Sequence, residues 1–329
     1  MRKIISAILA GIFLLANVSL AKAETLHDFD GDGRSDFVVF RTNPNGVNLD
    51  WSIYPSGTGV PTGAVFGLVA SDTLVPADYD GDGRTDIAVW RPSSEPGQSA
   101  FYILNSSNAS LRTEVMGQQG DWAFLVAGDY DGDGKADPAL YRRYHISAGN
   151  RYIYRGSLNN LSGVNTTFHW GAGEYHFPYR GDFDGDGKLD FCIRDNSNAT
   201  FSLRRSSDGG NELIAFGKVG DEIAPGDYDG DGKTDFCVVR EGKSYTLNWY
   251  IKERDGGGTG HIPIMWGRTN QDWTFPYAGG DFDGDGKSDL GVYLLFTNEF
   301  RIRRSTNATT WSFFWGQFGD NPIHINYSL

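Results

Sequence analysis

Short runs of alternating apolar and polar residues recur along almost the whole chain of 329 residues. One representative stretch contains four such runs, at residues 86–91, 101–106, 114–117 and 124–126, separated by polar connections. A period of two residues is typical of half-buried β-strands, and no segment after residue 23 shows the period of a surface helix. The pattern predicts an all-β chain of short antiparallel strands.

A nine-residue acidic loop divides these strands into units. Its first copy reads Asp28-Phe-Asp-Gly-Asp-Gly-Arg-Ser-Asp36. The six copies start at Asp28, Asp78, Asp129, Asp182, Asp227 and Asp281. The repeat unit is therefore about fifty residues long and holds four strand-like runs, which is the pattern of a β-propeller blade. An open β-solenoid fits less well because its coils are much shorter.

The two ends of the chain favour a closed ring of six blades. Residues 319–329 match the run before a loop, such as residues 120–129, and stop where another loop would begin. We expect residues 323–327 to form the inner strand of the blade whose other three strands come from residues 36–70. The ring would then have no open edge.

The first 23 residues resemble a secretory signal peptide. Arg2 and Lys3 precede an apolar run over residues 4–20, and Ala21-Lys22-Ala23 forms a small-x-small cleavage site. Residues 24–329 are then expected to form a single propeller domain, secreted to the extracellular space or the periplasm. No later stretch is apolar enough to span a membrane, and an uncleaved anchor is the alternative for the leader.

The spacing of carboxylates in each loop predicts a calcium site. Aspartates occupy loop positions 1, 3, 5 and 9, and glycines at positions 4 and 6 allow the tight curl that makes the side chains converge. Hard oxygen donors suit Ca²⁺, and the carbonyl of position 7 would add a ligand. Position 12 is apolar where an EF-hand has glutamate, so the aspartate at position 9 must take that role. A polar turn without metal is the alternative.

Up to six Ca²⁺ ions are expected, one in each loop. The predicted ligands, with Arg and Lys contributing backbone carbonyls, are Asp28, Asp30, Asp32, Arg34, Asp36, Asp78, Asp80, Asp82, Arg84, Asp86, Asp129, Asp131, Asp133, Lys135, Asp137, Asp182, Asp184, Asp186, Lys188, Asp190, Asp227, Asp229, Asp231, Lys233, Asp235, Asp281, Asp283, Asp285, Lys287 and Asp289.

The charge balance agrees with metal binding. The 42 acidic residues outnumber the 29 basic ones, and the six loops contribute 24 of the acids. Six divalent cations would offset half of the loop charge, so the acidity reflects the loops. A strongly acidic surface also argues against nucleic acid as a partner.

The two cysteines, Cys192 and Cys237, occupy the same place in successive repeats, two residues after the last loop aspartate. Other repeats have small residues there, which indicates close packing. Equivalent points on neighbouring units are usually too far apart for a bridge. Two buried free thiols are expected, although export would permit a disulfide.

The Asp-x-Asp-Gly-Asp-Gly-x-x-Asp loops, set in units that end in an aromatic-Gly pair such as Trp266-Gly267, resemble the FG-GAP/VCBS repeat family. The resemblance implies a β-propeller like the head of an integrin alpha chain, with calcium held in the hairpin between the first and second strands of a blade. Such heads have seven blades, so a seven-bladed ring is the alternative to six. The family also implies adhesion, lectin-like sugar binding or, in some secreted members, polysaccharide lyase or hydrolase activity.

A ligand face is predicted on the side of the ring opposite the loops. A basic and aromatic insertion follows the second strand of one repeat, and further aromatic residues lie at neighbouring turns. The candidate ligand-binding residues are Arg142, Arg143, Tyr144, His145, His176, Trp122 and Trp273. Aromatic faces would stack on sugar rings and arginine would bind a carboxylate, which suits an acidic glycan. The alternative reading of Arg142 is structural, because it aligns with Arg41, Arg91 and Arg240.

The expected function is binding, to a carbohydrate or a cell-surface partner, by a monomer. The histidines show no metal-ligand spacing and no nucleophile motif is present, so no catalytic residue is assigned. The alternative is a secreted polysaccharide-degrading enzyme on the same scaffold, using His145 or His176 with Tyr144 and an arginine.

Overall fold

A computed structural model describes residues 27–123, 126–143, 149–156, 165–171, 175–256, 260, 263–269 and 274–323. The strands in chain order are β1 (Phe37–Thr42), β2 (Asn48–Tyr54), β3 (Thr62–Leu68), β4 (Thr73–Leu74), β5 (Ile87–Arg91), β6 (Ala100–Leu104), β7 (Leu111–Val115), β8 (Ala139–Arg142), β9 (Arg151–Tyr154), β10 (Thr166–His169), β11 (His176–Tyr179), β12 (Phe191–Asp195), β13 (Thr200–Arg204), β14 (Asn211–Ala215), β15 (Glu222–Ile223), β16 (Phe236–Glu241), β17 (Thr246–Lys252), β18 (Ile264–Arg268), β19 (Thr274–Gly280), β20 (Asp289–Leu294), β21 (Glu299–Arg303), β22 (Thr310–Phe314) and β23 (Asn321–Pro322). Within these ranges the one helical segment is a 3₁₀ turn, Lys243–Tyr245.

The strands form six small antiparallel sheets, arranged as the blades of a six-bladed β-propeller. Blade 1 contains β1 to β3 with β23, blade 2 contains β4 to β7, and blade 3 contains β8 to β10. Blades 4, 5 and 6 contain β11 to β14, β15 to β18 and β19 to β22. At the inner edge of blade 3, Trp122 and Tyr141 exchange two backbone hydrogen bonds of 2.9 and 2.7 Å. The prediction of six all-β blades is confirmed, and the seven-bladed alternative is wrong.

The position of each strand in its blade explains its pattern of apolar residues. Strands second from the axis are packed on both faces, so β1 buries four consecutive residues, Phe37 to Phe40. Outer strands have one face in solvent, so β14 alternates between exposed and half-buried residues. A continuously apolar run in the sequence therefore marks a strand that lies second from the axis.

Aromatic rings fill the junctions between blades. Phe37 of blade 1 lies with its ring centroid 5.2 Å from Phe282 and 4.5 Å from Phe313, both in blade 6. Two tryptophans also form hydrogen bonds across junctions: Trp315 Nε1 donates to Ser52 O (3.1 Å) and Trp170 Nε1 donates to Ser202 O (3.2 Å). Cys192 and Cys237 are buried free thiols, as expected.

Blade 1 is completed by the C-terminal strand. In β23, Pro322 pairs with Val39 and Asn321 pairs with Phe40, and Ile323 N donates to Val38 O at 3.1 Å. The strand begins two residues before the predicted segment at 323–327, and residues 324–329 lie outside the described ranges. Asp320, beside the strand, forms an ion pair with Arg41 at 2.9 Å through a carboxylate that is 1% exposed.

Truncation after Gly319 should strongly destabilise the fold, because it unpairs Arg41 and exposes the edge of β1. We expect a loss of about 3 kcal/mol and a Tm lower by about 5 °C. Thermal unfolding measured by circular dichroism will test this. Truncation after Ile323 retains β23 and serves as the matched control; equal melting of the two truncated proteins would contradict closure through β23.

Candidate metal centres and the opposite face

Each acidic loop leads into the second strand of its blade. In blades 2 to 6 the loop follows the innermost segment of the blade, whereas the innermost strand of blade 1 is the C-terminal β23. In blade 2 the loop follows β4 and leads into β5, and Asp86 N at its end donates to Ala77 O at 2.9 Å. The same backbone hydrogen bond joins Asp190 to Gly181 and Asp235 to Gly226. The six loops lie on one face of the ring and surround a cavity of about 600 Å³.

The first aspartate organises the loop through the two glycines. In the first copy, Gly31 N donates to Asp28 Oδ1 at 2.6 Å and Gly33 N donates to Asp28 Oδ2 at 2.7 Å. Both glycines have positive φ, 78° and 83°, which L side chains rarely adopt. The same pair of hydrogen bonds occurs in the other five loops, at 2.6 to 2.9 Å.

The ninth aspartate is buried and ties the loop to the outer half of the blade. Asp190 Oδ2 accepts from Phe183 N inside the loop (2.7 Å), and its Oδ1 accepts from Ser206 N in the turn after β13 (2.7 Å). The side chain is fully buried. Burial raises the pKa of Asp190 to about 7, although the backbone donors oppose this shift. The pKa of Asp36, Asp137 and Asp235 is likewise raised by burial to about 7, and that of Asp86 and Asp289 to about 6.

Carboxylate oxygens converge in the loops. In the fourth copy, one oxygen each from Asp182, Asp184 and Asp190 lie within 4.8 Å of one another, and equivalent triplets occur in other copies. Asp184 Oδ1, and Asp283 Oδ1 in the sixth copy, are buried without any hydrogen-bond partner. Buried anionic oxygens with unused lone pairs repel one another unless a cation lies between them. The donor set therefore fits a hard divalent cation.

Hydroxyl groups from the outer hairpin complete the polar shell, and the sequence analysis missed them. Ser206 Oγ donates to Asp186 Oδ1 (2.9 Å) and Ser207 Oγ donates to Asp184 Oδ2 (2.6 Å). Blades 2 and 6 have the same arrangement. The signal in the sequence is a serine about twenty residues after the fifth loop position, at Ser56, Ser106, Ser206 and Ser305. Blade 5 differs, with Arg254 and Asp255 in these places.

Neighbouring loops are joined in a closed ring of backbone hydrogen bonds. The amide at loop position 8 donates to the carbonyl of position 1 in the preceding loop, at 2.5 to 2.7 Å. The six donor and acceptor pairs are Ser35 to Asp281, Thr85 to Asp28, Ala136 to Asp78, Leu189 to Asp129, Thr234 to Asp182 and Ser288 to Asp227. The basic side chain at position 7 also crosses the position 4 glycine of the preceding loop, as Lys135 does over Gly81.

On the opposite face, Arg142 has a structural partner. Its Nε and Nη2 donate to the two carboxylate oxygens of Asp121 at 2.6 and 2.7 Å. Asp121 is buried in the turn between blades, and the pairs Arg91 with Asp72 and Arg240 with Asp221 repeat this geometry. These contacts are the ones expected if Arg142 is a structural residue of the repeat rather than a ligand-binding residue.

Three other candidate residues lie close together beside this pair. The Arg143 guanidinium lies 3.7 Å from the centroid of the Trp122 ring, and the Trp122 ring lies 5.4 Å from that of Phe177. His176 Nε2 is 3.6 Å from Asp195 Oδ2. We call Trp122, Arg143, His176 and Phe177 the blade 3/4 cluster. Tyr144, His145 and Trp273 lie outside the described residues.

The repeat model for FG-GAP-like repeats matches residues 28–89, 78–138, 182–238 and 227–292. The chain belongs to the FG-GAP-like repeat family. No curated protein matches it in sequence. Within the described ranges, no helix of this FG-GAP-like protein is long and apolar enough to cross a membrane.

Solved structures resemble the FG-GAP-like chain in fold. A prolyl endopeptidase structure shares 10% identity over 89% of this chain and 50% of its own, with a TM-score of 0.52. A virginiamycin B lyase from Staphylococcus aureus, solved with quinupristin, shares 10% identity over 88% of this chain and 87% of its own, with a TM-score of 0.44. A chain of a nidogen/laminin complex shares 10% identity over 85% of this chain and 93% of its own, with a TM-score of 0.44. The first likeness shows the propeller fold alone.

Protein freed of metal should lose stability as the pH rises from about 4 to about 7. The ninth aspartates have a native pKa of about 6 to 7 against an ordinary value of 3.8, so the native state binds more protons than the unfolded state in this window. Their contribution to the free energy of unfolding is fully present below the ordinary pKa and is lost as the pH passes the native pKa. Calorimetry of dialysed protein should give a lower Tm at pH 7.5 than at pH 5; a higher Tm at pH 7.5 would contradict the burial argument.

Proposed function

We propose that this FG-GAP-like protein is an exported binding module whose propeller is stabilised by calcium in its six loops and whose opposite face binds a carbohydrate or a cell-surface partner. The observation that carries the calcium assignment is the pair of buried, unpartnered oxygens of Asp184 and Asp283 among converging carboxylates. Export follows from the leader-like residues 1–23.

In each loop, the four aspartates and the carbonyl of position 7 would hold the ion. Bound Ca²⁺ would supply positive charge that offsets the mutual repulsion of the carboxylates. The chain itself fixes the donors in advance, because the glycine amides orient the first aspartate and the strand-turn amides orient the ninth. Millimolar calcium outside cells is sufficient for sites of modest affinity. The metal is therefore structural in this proposal.

Calcium should raise the melting temperature, because only the native state presents the converged ligands. At about one hundred times the dissociation constant, each site adds about 2.7 kcal/mol to the free energy of unfolding. The Asp184→Asn variant should bind one ion fewer and melt at a lower temperature than the wild type in calcium. Metal analysis after gel filtration and scanning calorimetry will measure both.

The matched control is Asp208→Asn, which alters an exposed aspartate outside the loops that pairs with Arg205. It should leave the calcium stoichiometry unchanged. Identical melting of the wild type with calcium and with chelator would refute the metal assignment.

The blade 3/4 cluster supports the binding role. A tryptophan and a phenylalanine lie beside an arginine on a half-exposed surface, and Tyr175 next to them is 61% exposed. Aromatic faces with a neighbouring guanidinium suit stacking on a sugar ring and recognition of an anionic group. This face is separated from the loops, so ligand binding and calcium binding can be measured independently.

The Arg143→Gln variant should bind its glycan or cell-surface target at least 10-fold more weakly, since it removes the cation that stacks on Trp122. Glycan arrays and cell-binding assays on the calcium-loaded protein will identify the target and measure the loss. Arg204→Gln is the matched control, because Arg204 stacks on Phe168 away from the cluster. Release of unsaturated sugars from an acidic polysaccharide would replace the binding role with a lyase.

A further inference from the structure

The groove between blade 6 and blade 1 contains a cavity of about 320 Å³. Residues from both blades line it, including Arg34, Ser56, Asp283, Arg304, Thr310 and Trp311. Trp311 is 36% exposed, and the edge of the ring packs on Phe37, with centroids 5.2 Å apart. The volume is at the lower end of the range of small-molecule sites, about 300 to 1,000 Å³, and suits one or two sugar rings.

The equivalent groove between blades 4 and 5 is filled by an ion-pair network. Glu212 on β14 accepts from Arg205 Nη1 at 2.5 Å, and it accepts from Arg254 Nη1 and Nη2 at 3.1 and 3.0 Å. One carboxylate is therefore held between guanidinium groups from two adjacent blades.

Strand register shows that blade 6 lacks this carboxylate. Trp311 pairs with Ile302 in the same position in which Glu212 pairs with Leu203. Arg304 directly follows β21 in the same way that Arg205 directly follows β13, so the two arginines are counterparts. Ser56 is the counterpart of Arg254, because the amides of both donate to the ninth loop aspartate. Trp311 therefore occupies the position of Glu212, and Ser56 occupies the position of Arg254.

Because the groove lacks this glutamate, Arg304 has no carboxylate partner among the described residues. Arg304 Nε and Nη2 donate to Thr309 Oγ1 at 3.1 and 2.6 Å, and among the described residues no carboxylate forms an ion pair with it. Arg34 brings a second guanidinium, which lies over Gly284 of the sixth loop and 3.9 Å from Asp32 Oδ2, at the limit of an ion pair. Ser56 and Thr310 bring hydroxyl groups. The cavity therefore combines two cations, an exposed indole and hydroxyl groups in one groove.

We propose that the groove between blades 6 and 1 binds a sugar ring with a carboxylate group, such as a hexuronate unit of an acidic polysaccharide. The carboxylate takes the place that Glu212 occupies in the other groove, the ring stacks on Trp311, and the hydroxyl groups meet Ser56 and Thr310. The inference rests on the proposed carbohydrate-binding function and places a site on the side of the ring that carries the loops.

The sixth loop forms part of this site through Asp283. Its carboxylate would repel an anionic ligand unless the cation proposed for that loop offsets the charge. Binding should therefore weaken when calcium is removed, at a temperature where the metal-free protein is still folded.

Isothermal titration of the calcium-loaded protein with oligogalacturonate and oligoglucuronate tests the site. The reference protein carries Arg143→Gln, so that the blade 3/4 cluster contributes little to the titration. Trp311→Thr introduces the residue that blade 1 has at this position, Thr62, and Arg304→Gln removes the cation; each should weaken binding at least 10-fold. The matched controls are Phe314→Thr, on the same strand but outside the cavity, and Arg205→Gln in the filled groove. Both controls, made in the same Arg143→Gln background, should bind as the reference protein does.

Trp311→Glu provides a second test that does not depend on lost stability. It places a carboxylate beside Arg304, as Glu212 lies beside Arg205 in blade 4, so it should abolish uronate binding. The far-UV circular dichroism of the calcium-loaded variant should match that of the wild type. Retained binding by this variant would overturn the site.

The outcomes separate this inference from the proposed function. Wild-type binding that neither Trp311→Thr nor Arg304→Gln weakens overturns the groove and leaves the binding module intact. Wild-type binding to neutral or sulfated oligosaccharides in place of uronates also overturns only the groove. Failure to bind any glycan or cell surface overturns both.

Discussion

Six hydrogen bonds between neighbouring loops hold the inner rim of the propeller. Each uses the peptide group that links loop positions 7 and 8. The amide of that group reaches the first aspartate of the preceding loop, and its carbonyl belongs to the set of donors proposed for its own calcium ion. A shift in one loop must therefore move the backbone of the next. The rim therefore links all six blades through one continuous set of peptide groups.

The sequence predicted those features that depend on local spacing. Aspartates and glycines within nine residues define the loop, and two-residue alternation defines the strands, so neither requires knowledge of distant contacts. The serines after the third strand were missed because their link to the loop spans about twenty residues and looks like an ordinary turn. The sequence shows Arg142 as a repeated residue, but its pairing with Asp121 depends on the strand register, which the sequence does not show.

The grooves between blades show why a single sequence seldom reveals a binding site. Arg112, Glu212 and Trp311 occupy one register position in blades 2, 4 and 6, yet each makes a different junction. Arg112 holds Glu114, which also accepts from Arg155 of blade 3, and Glu212 joins two arginines, so ion pairs span both grooves. The groove beside Trp311 is open because the counterparts of Glu212 and Arg254 are missing there. No motif in the sequence signals such a gap, since it is visible only when neighbouring blades are compared in the assembled ring.

Closure of blade 1 by β23 also governs how the protein comes apart. Pairing of Val39 with Pro322 joins segments from opposite ends of the described chain, which makes it the costliest contact in loop entropy and a late step in folding. An open repeat array can fray from either end, unit by unit. A ring closed in this way has no terminal unit, so local fluctuations that would unravel an array are arrested by the neighbours on both sides. The expected result is slow, concerted unfolding and resistance to proteolysis.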